Sequence, residues 1–315
     1  MYKRMLVPLD GSELAEVVFT YAKEFAGRLN FEDVILLCVG NPVLREFIPM
    51  QQAYIERAAD KIRRQSRAVQ KRTGVQSGVK PVEARGELTV GHPADGILRY
   101  ADENDVDLIL MATHGRSGIR RWAMGSVADK VLRASKVPVL LVRAGIPDEI
   151  VYDQWPTRTI LAPLDGSELD ESVLTHVEAL TKKRMPTFDQ VVLLRVCEPP
   201  SLPSYSIPEL SDIPLNWGQY EQQEIARSKR VAGEYLTGAE KRFKDSGISV
   251  RSEVLVGKAN EEIVNYANKN PFNLIVMATH GRAGLSRWVY GSVAEYVLLG
   301  VTSPVLLIRP HSSNS

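Results

Sequence analysis

The chain has 315 residues, of which 44% are hydrophobic and 24% are charged, and its formal net charge at pH 7 is +1. This composition is typical of a globular protein, and it excludes both a long apolar membrane span and an overall field that favours nucleic acid. With only two cysteines, Cys38 and Cys197, neither a disulfide framework nor a cysteine metal site is predicted, and a cytoplasmic location is expected.

The first half of the chain alternates predicted strands and helices. Strands are predicted at residues 4–9, 33–39, 79–88, 106–112 and 137–143. Helices are predicted at residues 13–29, 51–71, 93–103 and 127–134. This alternation predicts an α/β fold with a doubly wound parallel sheet, in which ligands bind at the carboxyl ends of the strands.

The second half repeats the first. Residues 111–126 return almost unchanged as 277–292, and residues 5–14 match 160–169. We therefore predict two tandem domains, 1–147 and 156–315, with a linker around 145–156. Asp10 to Asp165 is an offset of 155 residues, whereas Gly115 to Gly281 is an offset of 166, so the second copy is 11 residues longer. The proline-rich segment 198–208 and the residues after it are predicted to hold this gain as a surface loop.

Each copy carries a glycine-spaced loop that favours phosphate binding. Gly115 is followed after nine residues by Gly125 and Ser126, which are predicted to begin a helix. Such a loop offers an anion free backbone N–H groups and the positive end of a helix dipole, and Arg116 adds a possible bidentate contact. The second copy has the same arrangement at Gly281, Arg282, Gly291 and Ser292. The loop matches neither the P-loop motif nor the dinucleotide fingerprint.

The chain resembles the universal stress protein family, specifically its tandem two-domain members. The resemblance rests on Pro-Leu-Asp-Gly-Ser-Glu at the end of the first strand, Met-Ala-Thr-His-Gly-Arg at the end of the fourth, Gly-Ser-Val-Ala at the last helix and Pro-Val-Leu-Leu in the last strand. Both halves match. It implies a five-stranded parallel sheet of order 3-2-1-4-5 in each domain, and the two domains packed as a pseudo-dimer through their last strands. It also implies ATP as the ligand of each domain, with Mg²⁺ as a candidate companion ion.

The resemblance further implies which residues bind the nucleotide. In the first domain they are Pro8, Asp10, Val39, Met111, Ala112, Gly115, Arg116, Gly125, Ser126 and Val127. In the second domain they are Pro163, Asp165, Val196, Met277, Ala278, Gly281, Arg282, Gly291, Ser292 and Val293. The ATP-binding branch of the family has a glycine where this chain has Ala112 and Ala278, and we expect binding to survive this smallest of changes.

Several of these residues also have a plainer interpretation. Asp10 and Glu13 have the spacing of a capping box, as do their counterparts in the second half. Gly115 and Gly125 are open to interpretation as turn and helix-start residues only. Val39 and Met111 are open to interpretation as ordinary core residues, and His114 and His280 as hydrogen-bonding residues of the loop.

The predicted function is a cytoplasmic stress or regulatory protein that binds ATP as a structural or signalling ligand. No residue set resembles a hydrolytic apparatus, so any ATPase activity should be slow, and neither a catalytic residue nor a protein metal site is predicted. The predicted partner is an adenine nucleotide, and binding to nucleic acid or to a membrane is not expected. The two domains are expected to pair within the chain, and a homodimer is left open. Two alternatives are a dimerising scaffold without nucleotide, which Ala112 and Ala278 favour, and an enzyme such as an ATPase or nucleotidyl transferase.

Overall fold

The computed structural model describes residues 2–29, 31–73, 80–114, 124–143, 158–181, 188–200, 217–244, 248–270, 272–279 and 291–309. The strands in these segments are β1 (Arg4–Leu9), β2 (Asp33–Gly40), β3 (Glu83–Val90), β4 (Leu108–Ala112), β5 (Val139–Val142), β6 (Thr159–Pro163), β7 (Gln190–Cys197), β8 (Ser249–Val256), β9 (Leu274–Ala278) and β10 (Val305–Ile308). The helices are α1 (Glu13–Glu16), α2 (Val18–Leu29), α3 (Ile48–Arg72), α4 (Pro93–Glu103), α5 (Ser126–Ala134), α6 (Leu169–Thr181), α7 (Trp217–Lys244), α8 (Ala259–Lys269) and α9 (Ser292–Gly300).

These strands form one continuous sheet in the order β3-β2-β1-β4-β5-β10-β9-β6-β7-β8. Within each half the strand pairs are parallel, and each half has the order 3-2-1-4-5. Both the predicted α/β fold and the predicted strand order are therefore confirmed.

The two halves meet at an antiparallel seam between β5 and β10, where Leu140 lies opposite Leu306. Two arginines at equivalent positions secure this seam. Arg143 donates a hydrogen bond of 3.3 Å to the carbonyl of Val301, and Arg309 donates one of 2.9 Å to the carbonyl of Arg133. The predicted pairing of the domains through their last strands is thus confirmed.

Side chains of the sheet alternate between two apolar layers, each of which runs through both halves. One layer contains Phe25 of α2 and Phe243 of α7, both buried. The other contains Ile97 of α4, Val131 of α5 and Val297 of α9. In the described segments, no helix is both long enough and apolar enough to cross a bilayer.

Most predicted element boundaries differ from the structure by a few residues, and two of the differences have a clear physical reason. The helix predicted over 13–29 is interrupted at Val17, which ends the short α1, and two adjacent β-branched valines disfavour helix at this point. Strand β3 begins at Glu83, not at residue 79 as predicted. Because Pro81 has no N–H to donate to a neighbouring strand, pairing with β2 begins only after it, at Asp33 opposite Glu83.

The strand registers locate the 11 extra residues of the second half. Equivalent residues Asp33 and Gln190 differ by 157, and Glu83 and Ser249 differ by 166. Two residues are therefore gained between the first and second strands of the unit, where none was predicted, and nine between the second and third. Much of the predicted insertion, residues 201–216, lies outside the described segments.

Candidate functional site

A cavity of about 410 Å³ opens at the carboxyl ends of β1 and β4 in the first half. β1 lies between β2 and β4 in the sheet. The strand order therefore reverses at β1, because β2 and β3 follow on one side of it and β4 and β5 on the other. Doubly wound sheets bind ligands at such a reversal. The lining includes every described residue that was predicted for the first-domain site: Pro8, Asp10, Val39, Met111, Ala112, Gly125, Ser126 and Val127. The predicted residues Gly115 and Arg116 lie outside the described segments.

The loop after β1 forms one edge of the cavity. Gly11 has a φ of 79° and turns the chain sharply away from the strand. Asp10 accepts hydrogen bonds from the backbone N–H of Ser12 at 3.0 Å and from its hydroxyl at 2.6 Å. Ser12 is the N-cap of α1 and accepts from the N–H of Ala15 at 3.2 Å. The capping interpretation of Asp10 is therefore wrong, because Ser12 caps the helix and Asp10 orders the loop beside the cavity.

The walls of the cavity are apolar. Met111 and Ala112 at the end of β4 are 6% and 7% exposed, so both pack within the protein while they line the cavity. Val39 at the end of β2 packs against Gly96 of α4, where a Cβ would lie 3.0 Å from a methyl carbon of Val39. Val39 and Met111 therefore pack in the core and also line the cavity, so the two interpretations of these residues are compatible. An apolar lining of this kind suits a flat, uncharged group.

The opposite edge is the start of α5. Gly125 is the N-cap of this helix, and its N–H donates to the carbonyl of Thr113 at 2.8 Å. A Cβ on Gly125 would lie 3.1 Å from that carbonyl oxygen, so glycine allows the helix to start this close to the end of β4. Since glycine has no side chain to cap α5, the first N–H groups of the helix and its positive dipole end are offered to the cavity.

Two buried polar atoms on the cavity lining have no hydrogen-bond partner among the described residues: Oε1 of Gln51 and Nε2 of His114. The other ring nitrogen of His114, Nδ1, lies 3.0 Å from the hydroxyl of Thr113. An unpaired buried polar atom costs about 1–3 kcal/mol, so such atoms are rare unless a ligand or water meets them. Gln51 was not predicted from the sequence, because a polar residue near the start of an amphipathic helix gives no signal of its own.

The second half repeats the helix start but changes the loop. Gly291 is the N-cap of α9, and its N–H donates to Thr279 at 2.6 Å, as Gly125 does to Thr113. Asp165 accepts from the N–H of Ser167 at 2.9 Å. The other described residues predicted here lie at strand ends or at the start of α9: Pro163, Val196, Met277, Ala278, Ser292 and Val293. Residues 280–282, including Gly281 and Arg282, lie outside the described segments.

A buried carboxylate in the first turn of α6 accepts hydrogen bonds from this second loop. Asp170 is 4% exposed and accepts from the N–H of Gly166 at 2.6 Å, from the N–H of Asp165 at 3.3 Å and from the hydroxyl of Tyr235 at 2.8 Å. Burial raises the pKa of Asp170, while the hydrogen bonds from Tyr235 and Gly166 act in the opposite direction. Among the described residues, no group of three or more His, Cys, Asp or Glu side chains is placed to hold a metal ion.

Comparison with known proteins agrees with the duplication. The model of the universal stress protein family matches residues 1–143 and again 156–309. Universal stress protein YxiE of Bacillus subtilis is 28% identical over 148 residues, which is 45% of this chain and 100% of that protein.

Two solved structures are also similar. A universal stress protein from Archaeoglobus fulgidus superposes with a TM-score of 0.63 at 20% identity, over 99% of this chain and 97% of that one, and shows the same tandem fold. A universal stress protein in complex with cAMP is 24% identical and matches 46% of this chain and 98% of its own, with a TM-score of 0.33.

Proposed function

The chain belongs to the universal stress protein family, and from this premise we propose that it is a cytoplasmic stress or regulatory protein that binds ATP in the first-half cavity. The observation that carries the proposal is this cavity, in which apolar walls face the start of α5, a helix without a side-chain cap among the described residues. Gln51 and His114, each with a buried polar atom that has no described partner, also line it. Its volume of about 410 Å³ falls within the range of small-molecule sites. An equivalent site in the second half is predicted from the repeated motifs alone.

In the proposed complex the adenine lies between Val39 and Met111, and Asp10 faces the ribose. The phosphates lie at the start of α5, where Gly125 and Ser126 offer backbone N–H groups and a hydroxyl. A hydrogen bond to a charged group contributes about 1.5–3 kcal/mol. Four or five such bonds therefore suffice for micromolar affinity, about 8 kcal/mol, after the cost of ordering the ligand.

We propose that ATP acts by occupancy and not by turnover. A ligand that binds one conformation more tightly shifts the population toward it, and this requires no chemical step. The groups at the cavity, namely the Asp10 carboxylate, the His114 ring and the Gln51 amide, are assigned to binding. Any hydrolysis is expected to be slow.

The purified 315-residue chain should bind ATP with a dissociation constant in the micromolar range, of order 1–100 μM. Isothermal titration calorimetry with ATP, with and without Mg²⁺, measures this directly, and titrations with cAMP and GTP test the preference for the triphosphate and for adenine. Absence of binding at millimolar ATP would contradict the proposal.

Replacing Gln51 with leucine should stabilise the ligand-free protein by about 1 kcal/mol, because it removes a buried acceptor without a partner in the described structure. The same change should weaken ATP binding roughly 2- to 10-fold, the value of one hydrogen bond. Gln52→Leu is the matched control, since Gln52 is the next residue of α3 and bonds Glu56 at the surface. Thermal unfolding and calorimetry of both variants are the measurements, and equal ATP affinity in the two would remove Gln51 from the site.

A dimerising scaffold without nucleotide is the second candidate, favoured by Ala112, whose methyl group stands where the ATP-binding branch has glycine. A mass spectrum of small molecules released from the denatured protein separates the two candidates. A retained adenine nucleotide supports the first. If none is released and added ATP does not bind, the scaffold is supported.

A further inference from the structure

The two halves differ at several positions of the cavity lining, and at two of them a small residue is replaced by a charged one. Seven identical residues, Pro-Leu-Asp-Gly-Ser-Glu-Leu, are followed by Ala15 in the first half and by Asp170 in the second. The sheet register pairs Pro8 with Leu37 and Pro163 with Leu194. The next residues along the second strands are therefore equivalent, and they are Cys38 in the first half and Arg195 in the second.

Both first-half residues are small and leave the cavity open. Ala15 and Cys38 line it and are 6% and 3% exposed. A methyl group and a thiol thus stand where the second half has a carboxylate and a guanidinium.

In the second half the carboxylate occupies backbone donors of the loop. Asp170 accepts from the N–H groups of Asp165 and Gly166, and no side chain at Ala15 can do the same. The loop is altered as a result. Ser12 caps its helix, whereas the hydroxyl of Ser167 is buried and has no hydrogen-bond partner among the described residues.

The guanidinium fills space over the same loop. A Cβ built on Gly166 would overlap the guanidinium of Arg195, so this group lies directly against the loop backbone. It also stacks over the ring of Tyr235, at 5.2 Å from the ring centre, a cation–π contact that helps to hold it there. Tyr235 in turn donates to Asp170, so the three side chains form one connected group.

We propose that Arg195, Asp170 and Tyr235 close the second half to the nucleotide that the first half binds, so that the chain carries one nucleotide site and one self-filled site. This inference rests on the proposed ATP binding by the first half. A ligand entering the second half must displace a stacked guanidinium and compete with Asp170 for the loop N–H groups.

The first test is the number of ATP molecules that each wild-type chain binds, counted by native mass spectrometry and by equilibrium dialysis. The expected number is one, with a second molecule appearing only at ATP concentrations at least about 100-fold higher. Two molecules bound with equal affinity would overturn the inference and leave the proposed function intact. If no molecule is bound, both proposals fail.

The second test converts each half into the other. Asp170→Ala with Arg195→Cys should open the second half and raise the number bound to two, with dissociation constants within about tenfold of each other. Arg195→Lys, which keeps a bulky cation and leaves Asp170 in place, is the matched control and should keep the number at one. Ala15→Asp with Cys38→Arg should close the first half and reduce the number to zero.

Circular dichroism of each variant establishes that it is folded before binding is counted. A folded Asp170→Ala/Arg195→Cys variant that still binds one nucleotide would overturn the inference. So would weaker total binding in that variant, because Arg195 would then be a ligand of the nucleotide. The wild-type count does not depend on any variant and decides the matter if the converted chains fail to fold.

Discussion

Replacing Gly125 with aspartate will lower the affinity of the first-half site for ATP by at least about 100-fold. An N-cap aspartate accepts hydrogen bonds from the first N–H groups of its own helix, so it competes with the phosphates for the donors of α5. It also places a negative charge where the triphosphate is proposed to lie, and two like charges 4 Å apart repel by about 1–4 kcal/mol between bulk water and a protein surface. A capping bond of about 1 kcal/mol and a repulsion of about 2 kcal/mol, within this range, together reach the roughly 2.7 kcal/mol that corresponds to a 100-fold loss.

Gly125→Asn is the control that isolates the charge. Asparagine caps a helix about as well as aspartate, and its Cβ meets the same carbonyl oxygen of Thr113, so both variants should fold equally well. We expect roughly a 10-fold loss of ATP affinity for the asparagine variant, with thermal midpoints that agree between the two proteins. Calorimetric titration supplies the affinities, and if aspartate and asparagine bind ATP alike, the phosphates do not lie at α5.

The fold was predictable because the sequence repeats its strongest signals. The all-apolar β4 and the Gly-Ser pair at the start of α5 recur in the second half, at positions where local chemistry agrees with the tertiary structure. Boundaries failed where one residue overrode a pattern, as at Pro81, which has no N–H for the sheet.

The candidate site was predictable only in part. Asp10 was placed beside the cavity, but its hydrogen bonds to Ser12 depend on the turn at Gly11 and not on capping-box spacing. Gln51 comes from a helix distant in sequence, so its approach to the cavity is a tertiary property.

The difference between the halves is visible in the repeated sequence, and the strand register agrees with it. Ala15 and Asp170 can be compared from the sequence, because identical residues precede them. Cys38 and Arg195 are each preceded by Leu-Leu and followed by Val, and the strand pairing agrees that they are equivalent. A duplicated motif therefore predicts a duplicated backbone, whereas residues outside the motif decide whether each copy can hold a ligand.

Replacing Glu24 with leucine should destabilise the protein by about 3 kcal/mol. The burial of this residue is not predicted by the sequence pattern. A glutamate in an amphipathic helix is expected in solvent, yet Glu24 is 2% exposed. Its carboxylate accepts from Arg28 at 2.9 Å and from Arg72 at 3.1 Å, which ties α2 to the end of α3. Removing it leaves the guanidinium of Arg28, which is 8% exposed, without this counter-charge, and such losses cost about 3–5 kcal/mol. We take the lower value because Arg72, 53% exposed, can return to water.

Differential scanning calorimetry should show this loss as a fall of about 6–12 °C in the unfolding temperature of the first half, at 2–4 °C for each kcal/mol. The double change Glu24→Leu with Arg28→Leu should recover most of the lost stability, because it removes the buried charge of Arg28 together with that of Glu24. Recovery in the double variant assigns the cost to the buried charge, whereas equal losses in both variants would assign it to packing. A single variant within about 1 kcal/mol of wild type would show that Arg28 finds other compensation, and that the Glu24 carboxylate does not hold α2 against α3.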